Sequence, residues 1–484
     1  MRVCMFVKNS FEYDARVTKE ARSLVEGGHE VTVVAIHVPG VTAERETTAD
    51  GVKVVRVNRL SFGMRRVQQA HARFVVGTEE RRARLTDGEV DEGRIRRYAA
   101  LLPPSTATPG ETAAAAVPRP AIASPGSGGT VHRTRLDAAW TGFSTAVRIA
   151  LSQTVRYGFR AAKFVVQGPL TAVRARALDR RFVRAGLATG AEVWHCHDLN
   201  TLAVGVRCKQ ARPGTRLVYD SHELATERSR MGRVARWQAG RAERRGLRHN
   251  DEGIWTTRSR AEYVVRRYGI PFPTLIHNVP ERIEVQQGWD LHERLGIPAD
   301  QRILLYQGSI QEFRGIEESI EAVTLLDRCG LVVIGYGYHR PALEAMVRRR
   351  GLGDRVRFFG PIPNDELLHY TASADVGLCV IRGQSLSYRW SMPNKLFEYM
   401  MAGIPVVASD FEEMGRVVRE EGVGTVCDPD DPQSIAAAVG AIIDDPAAEA
   451  RFRAATRLAI GKWNWDEEEK KLLALYRRLD PAAG

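Results

Sequence analysis

This 484-residue sequence predicts two α/β domains, each a parallel sheet wrapped by helices. Three observations carry that prediction. Strand-like and helix-like segments alternate up to residue 58 and again from about residue 188 onward. Between them no strand pattern is recognisable, and residues 102–131 are rich in Pro, Ala, Gly, Ser and Thr. The loops expected after the strands concentrate His, Asp, Glu, Arg and Gly, whereas the predicted helix surfaces carry ordinary solvated charge.

The opening reads β-α-β. "RVCMFV" is a compact apolar strand, "DARVTKEARSLVEGG" a helix closed by Gly27-Gly28, and "HEVTVVAI" a second strand. "GVKVVRV" alternates like a third. Residues 102–131 are expected to be disordered within an insertion of about 60–168. Residues 139–167 read as an amphipathic helix, with Trp140, Phe143, Val147, Leu151 and Val155 on one face and Arg148, Arg156, Arg160 and Lys163 on the other.

The alternation resumes with "AEVWHCHD", "RLVYDSHE" and "EGIWTTRS", then the helix "SRAEYVVRRYG" and "PTLIHNVPE". A second run begins at "RILLYQGSIQEFRGIEESIEAVTLL" and "GLVVIGYG". It continues through "ALEAMVRRRGL", "RVRFFGPIP", "NDELLHYTASA", "VGLCVI", "MPNKLFEYMMAGIPVVASD", "GTVCDP" and "DPQSIAAAVGAIIDD". The tail "WNWDEEEKKLLALYRRL" is a charged amphipathic helix. The organisation is therefore two Rossmann-like domains facing across a cleft, residues 1–285 and 286–462, with a C-terminal helix over 463–484.

Composition narrows the function classes only a little. The net charge of +12 raises nucleic acid, anionic lipid and phosphorylated substrates as partners, but arginine is spread along the whole chain. No aromatic stacking platform accompanies the basic residues, so nucleic acid is not expected. Cys4, Cys196, Cys208, Cys329, Cys379 and Cys427 lie scattered, with no C-x-x-C pair, and are expected to be reduced core residues of a cytosolic protein. The first residues lack a signal-peptide pattern, and no uncharged apolar run approaches the roughly 20 residues that span a bilayer.

Chemistry is expected beyond the carboxyl ends of the strands, where helix N-termini point. Gly335 and Gly337 give a partial glycine turn, and neither G-x-G-x-x-G nor G-x-x-x-x-G-K-[ST] is complete. The stronger phosphate site is the helix beginning at Pro393, which suits the first helical position. Its free N–H groups and dipole favour a diphosphate, and Lys395 adds charge. Asn394, Lys395 and Glu398 share one face. From residue types alone, Glu398 either accepts from a ribose diol or simply faces solvent. His197 and Asp198 end a strand and are read as functional, whereas His195 is assigned to the core, pointing away from His197. His222 and Glu223 fit either loop packing or cleft contacts. No close pair of metal ligands shares a helix face, so no metal site is expected.

The stretch "MPNKLFEYMMAGIPVVASD" resembles the donor-binding signature of retaining, two-Rossmann (GT-B) glycosyltransferases of family four, the group 1 glycosyltransferases. The resemblance extends through "VWHCHDLNTL", "VYDSHEL", "HNVPE", "YQGSIQEFRGIEESIEA" and "RVRFFGPIPNDELLHYTASADVGL", and covers residues 1–58 and roughly 170–484. It implies transfer of a sugar from a nucleotide-diphosphate donor to a hydroxyl acceptor with retention, without metal or further cofactor. By position it implies that Glu398 holds the ribose, that Asn394 and Lys395 meet the diphosphate, and that Arg314 faces the leaving phosphate. His197 would lie near the donor sugar. Gly308, Ser309, Gly335, Pro361, Ile362, Trp390, Pro393 and Leu396 would complete the donor site, and Asp198, Asn200, His222 and Glu223 the acceptor or cleft side. Where the family often has Gly-Gly, this sequence offers "NSFEYDARVTKEA", so Arg16 or Lys19 is expected either to contact phosphate or acceptor or to lie on a solvated helix face.

Two departures stand out: Trp390 replaces the first glutamate of the family's E-x7-E pattern, so recognition of the sugar hydroxyls must differ, and Ser309 replaces an arginine. They motivate the alternative of a non-catalytic scaffold or assembly partner. An epimerase on the same fold matches the motifs less well. Residues 133–184 hold eleven Lys/Arg against Asp137 and Asp179, so the helix 139–167 is a membrane-surface candidate. That reading implies a lipid-linked or cell-envelope acceptor and a cytoplasmic protein peripheral to the inner face of the membrane.

Overall fold

The computed structural model describes residues 1–12, 14–59, 173–285, 289–360, 362 and 364–480. The insertion at about 60–168, its 102–131 stretch and the helix expected at 139–167 lie outside the described residues. Met1–Val57 and Asp179–Gly484 form one compact unit, with residues 58–178 as the other.

The first sheet runs β3-β4-β2-β1-β5-β6-β7-β8. Its strands are β1 (Arg2–Phe6), β2 (Glu30–His37), β3 (Arg45–Thr47), β4 (Lys53–Asn58), β5 (Val193–His197), β6 (Arg216–Ser221), β7 (Glu252–Trp255) and β8 (Thr274–Leu275). β1 pairs in parallel with both β2 and β5, so the chain reverses its direction of winding between β1 and β5. The second sheet runs β11-β10-β9-β12-β13-β14. It comprises β9 (Arg302–Gln307), β10 (Cys329–Ile334), β11 (Val356–Phe359), β12 (Val376–Cys379), β13 (Val406–Ser409) and β14 (Gly424–Cys427), all parallel, with the reversal between β9 and β12. Such reversals open a crevice at the carboxyl ends of the strands.

The central strands are buried on both faces, as continuous apolar runs such as "RILLYQ" and "VWHCH" require. All six cysteines are free and buried in these cores. The short antiparallel pairing of β3 with β4 carries only exposed residues on β3 and had no apolar pattern to announce it.

The helix Trp465–Leu479 leaves the second sheet and packs on the first. Asn464 caps it, accepting from the Glu467 amide at 3.2 Å, and three acids in its first turn oppose two arginines in its last. Leu472, Leu475, Tyr476 and Leu479 enter the core of the first sheet, and Trp465 donates to Ser23 Oγ at 2.9 Å. Among the described residues no helix is long and apolar enough to cross a membrane.

Candidate active site

The helix Asn394–Met401 follows Pro393, which is its N-cap residue rather than its first helical residue; Gly403, at φ +76°, lies just past the end. No side chain caps the start, so the first backbone N–H groups stay open to a ligand. Lys395 does not reach into solvent. It is 7% exposed, its Nζ sits 3.4 Å above the Tyr306 ring centre, and no hydrogen-bond partner meets it. Burial pushes its pKa down to about 7. One turn on, Glu398 Oε2 accepts from Gln307 Nε2 at 2.6 Å, and Gln307 Oε1 accepts from Thr371 at 2.7 Å, so the carboxylate is held. Burial raises its pKa.

Glycines let the backbone come close here. Gly308, at φ +119°, has only the Lys395 side chain near its face, and Gly335, at φ +140°, would drive a Cβ to 2.0 Å from the Gly308 carbonyl oxygen. Ser309 is exposed beside Gly308, and its carbonyl accepts from Tyr306 Oη at 2.8 Å. Arg314 lies over the Tyr388 ring at 5.1 Å, with its Nε buried and unpartnered.

Facing this is a 220 Å³ cavity lined by Arg16, His222, Glu223, Thr256, Arg260 and Asn278 from the first domain, and by Arg314, Ser387, Tyr388, Ser391, Met392 and Pro393 from the second. Arg260 spans the two, donating to the His222 carbonyl at 2.6 Å and the Ser387 carbonyl at 2.8 Å.

Behind the first wall lies a buried charged network. Asp220, wholly buried, accepts from Arg16 Nε and Nη2 at 3.0 Å each and from His222 Nε2 at 3.0 Å, and His197 Nδ1 lies 3.2 Å away. Its carboxyl is held well below the usual range: burial opposes the charge, but Arg16 and His222 outweigh it. Burial alone would lower His222; Asp220 and then Asp198 reverse that and push it up to about 9, so it stands as a cation in the cavity wall. Asp198, at φ +62°, accepts from the His222 amide at 3.1 Å.

Several expectations change. His195 and His197 are two apart on β5 and share a face, and their rings stack at 4.4 Å instead of pointing apart. His195 meets Tyr476 of the C-terminal helix at 2.9 Å. His197 is 3% exposed, and it is His222 that reaches the cavity. Arg16 lines the cavity but is committed to Asp220 and to the Ile276 carbonyl, while Lys19 lies under Trp465, 5.0 Å from its ring centre. Asn200 is exposed in the first turn of the helix Leu199–Ala211 and is no part of the cavity lining. Glu223 lines it and pairs with Arg228 at 2.7 Å. Leu396 belongs to the core, and its amide donates to the Pro393 carbonyl at 3.0 Å. Ile362 is half-buried against that core, and Pro361 lies outside the described residues. Trp390 packs on Tyr263 at 5.7 Å and its carbonyl accepts from Thr257 at 3.0 Å, so it joins the domains and does not line the cavity.

Glu20, Asp220, Arg260, Gln307 and Tyr306 were not singled out from the sequence. Glu20 falls four residues after Arg16, a spacing that reads as a solvated helix pair, yet both are buried. Glu20, His195, His197 and Asp220, which come from a helix and two strands, bring atoms within 4.8 Å of one another. Arg16 already lies 3.0 Å from both carboxylates, and its fixed positive charge opposes a divalent ion there.

Residues 288–459 match the family model described as "Glycosyl transferases group 1". A D-inositol 3-phosphate glycosyltransferase of Xylanimonas cellulosilytica is 29% identical over 243 residues, 47% of this chain and 57% of that protein, so the match spans little more than half of that relative's length. Among solved structures, a sucrose-phosphate synthase from Thermosynechococcus elongatus superposes with a TM-score of 0.66 at 17% identity, covering 99% of both chains. The Anabaena HepE protein in complex with UDP-glucose does so at 0.60 and 12% identity, covering 99% and 100%. At these identities the structural matches establish the fold: two facing Rossmann-like domains of the GT-B type.

Proposed function

Since residues 288–459 match the model of the group 1 glycosyl transferases, we propose that the protein moves a sugar from a nucleotide-diphosphate sugar to a hydroxyl acceptor with retention at the anomeric carbon. The observation that carries this reading is Lys395: a buried amine over the Tyr306 ring with no hydrogen-bond partner, at the uncapped start of a helix and beside a glycine that admits close approach. A buried amine whose N–H groups meet no acceptor is costly, and a diphosphate supplies the missing acceptors.

In this reading Glu398 accepts from the ribose diol, and the Gly308–Ser309 turn passes along the diphosphate. As the bond from the anomeric carbon to the diphosphate breaks, its electron pair goes to the phosphate oxygen. Arg314, Lys395 and the helix N-terminus stabilise that charge without a metal. The acceptor oxygen bonds to the same face of the carbon, and its proton passes to the departing phosphate. The acceptor enters through the cavity walled by His222 and Arg260. UDP-glucose, bound in the HepE complex, is the first donor to test. A hexose donor and an acceptor of cell-envelope or glycolipid type, met on the cytoplasmic side, complete the proposal. The scaffold alternative has less support, since Trp390 leaves the diphosphate seat intact.

The Lys395 site makes a pH-dependent prediction. A bound diphosphate raises a pKa that burial has lowered to about 7, so binding takes up a proton above pH 7 and weakens as pH rises toward the bound-state value. Calorimetry of nucleoside diphosphate binding in buffers of different ionisation enthalpy should show that uptake, and Lys395→Met should remove it. Unchanged uptake in the variant would refute the seat.

A further inference from the structure

We propose that the helix Arg233–Leu247 docks the protein on an anionic lipid bilayer. This surface is separate from the cavity and independent of the sugar-transfer reading. The helix buries only Gly240, Glu243, Gly246 and Leu247. On the opposite side Val234, Trp237, Arg241, Arg244, Arg245 and Arg248 fall within an arc of about 100° at 100° per residue. All six are exposed, Trp237 by 63% and Val234 by 69%.

The charge on this face is not neutralised. Glu243 is the helix's only acid, and it is turned inward, where Tyr219 and Tyr268 donate to it at 3.1 and 2.7 Å. Among the ion pairs of the described residues, none involves Arg241, Arg244, Arg245 or Arg248; Arg236, on the side away from this arc, is the one arginine of this helix that pairs, with Glu227 at 3.8 Å. Beside Trp237 a groove of 320 Å³, also lined by Arg241, Arg244, Arg267 and Tyr268, has the size and charge for a lipid headgroup phosphate.

Four arginines without ion-pair partners, around an exposed indole and valine, offer charge to lipid phosphates and apolar side chains to the interface beneath them. Nucleic acid fits less well. Arg241 lies over the Trp237 ring at 5.7 Å, on a face a base would need for stacking, and an exposed valine contributes nothing to a phosphate backbone. Residues 222–232 join this helix to His222 and Glu223 in the cavity wall, so docking would bring the cleft close to the bilayer surface.

The test is co-sedimentation of the full chain with phosphatidylcholine vesicles, with and without phosphatidylglycerol. The wild type should bind the anionic vesicles only and be released by salt. Trp237→Ala with Arg241→Glu and Arg245→Glu should weaken that binding by at least about tenfold at unchanged thermal stability. Arg244→Glu with Arg248→Glu must do the same if the first variant misfolds. Equal binding to neutral vesicles, undiminished binding by the variants, or binding to duplex DNA without binding to vesicles would each overturn the proposal.

Discussion

Arg314→Ala should lower turnover by about 10²–10³-fold while the protein stays folded. Among the described residues Arg314 makes no ion pair. It rests on the Tyr388 ring with Nε unsatisfied, so its removal leaves no buried carboxylate unpaired. The loss should appear in kcat and in kcat/KM, because the guanidinium meets charge that grows as the diphosphate leaves. Glu398→Ala should also bring turnover close to zero, through lost hold on the donor, with Gln307 left without its acceptor. Initial rates with a nucleotide-sugar donor, alongside thermal unfolding, check both. Full activity in both variants would mean that the cleft has been assigned to the wrong residues.

Arg16→Met should have the largest effect on stability, about 3–5 kcal/mol, because it strips a buried carboxylate of its bidentate partner. Asp220 is wholly buried and accepts two bonds from that guanidinium, and Glu20 lies 3.0 Å from it. Removing both charges in Arg16→Met/Asp220→Asn should cost less than the sum of the single changes, since each no longer strands the other. Urea unfolding of the four proteins measures this coupling. Additive losses would show that the pair is not the unit the geometry describes.

The strands were legible because buried parallel strands are short continuous apolar runs ending in polar or glycine turns, as "RILLYQ" and "GLVVI" are. Helices that bury little were not. Arg233–Leu247 hides two glycines, a glutamate and one leucine, so it has no apolar stripe to read. The donor half of the site was legible as a motif: a helix start carrying Pro393, Asn394 and Lys395, with Glu398 one turn on. Its physical state was not, because burial of Lys395 over Tyr306 depends on a strand some 90 positions earlier. The first-domain half was less legible still. Whether His197 or His222 faces the cleft depends on how β5 and β6 sit beside each other, and the burial of Arg16 and Glu20 depends on both strands and on the C-terminal helix covering them. Trp390 shows the limit clearly. Its position in a recognised pattern pointed to the sugar, while its ring found Tyr263 in the other domain.

The most direct test of the donor seat is calorimetric titration of the wild type, Lys395→Met and Glu398→Gln with UDP, GDP and ADP. At least one of the three nucleotides should bind the wild type, and both substitutions should weaken that binding by tenfold or more, on the order of the 1.5–3 kcal/mol of a hydrogen bond to a charged group. Binding that survives both substitutions, or a wild type that takes up none of the three, would contradict the donor seat.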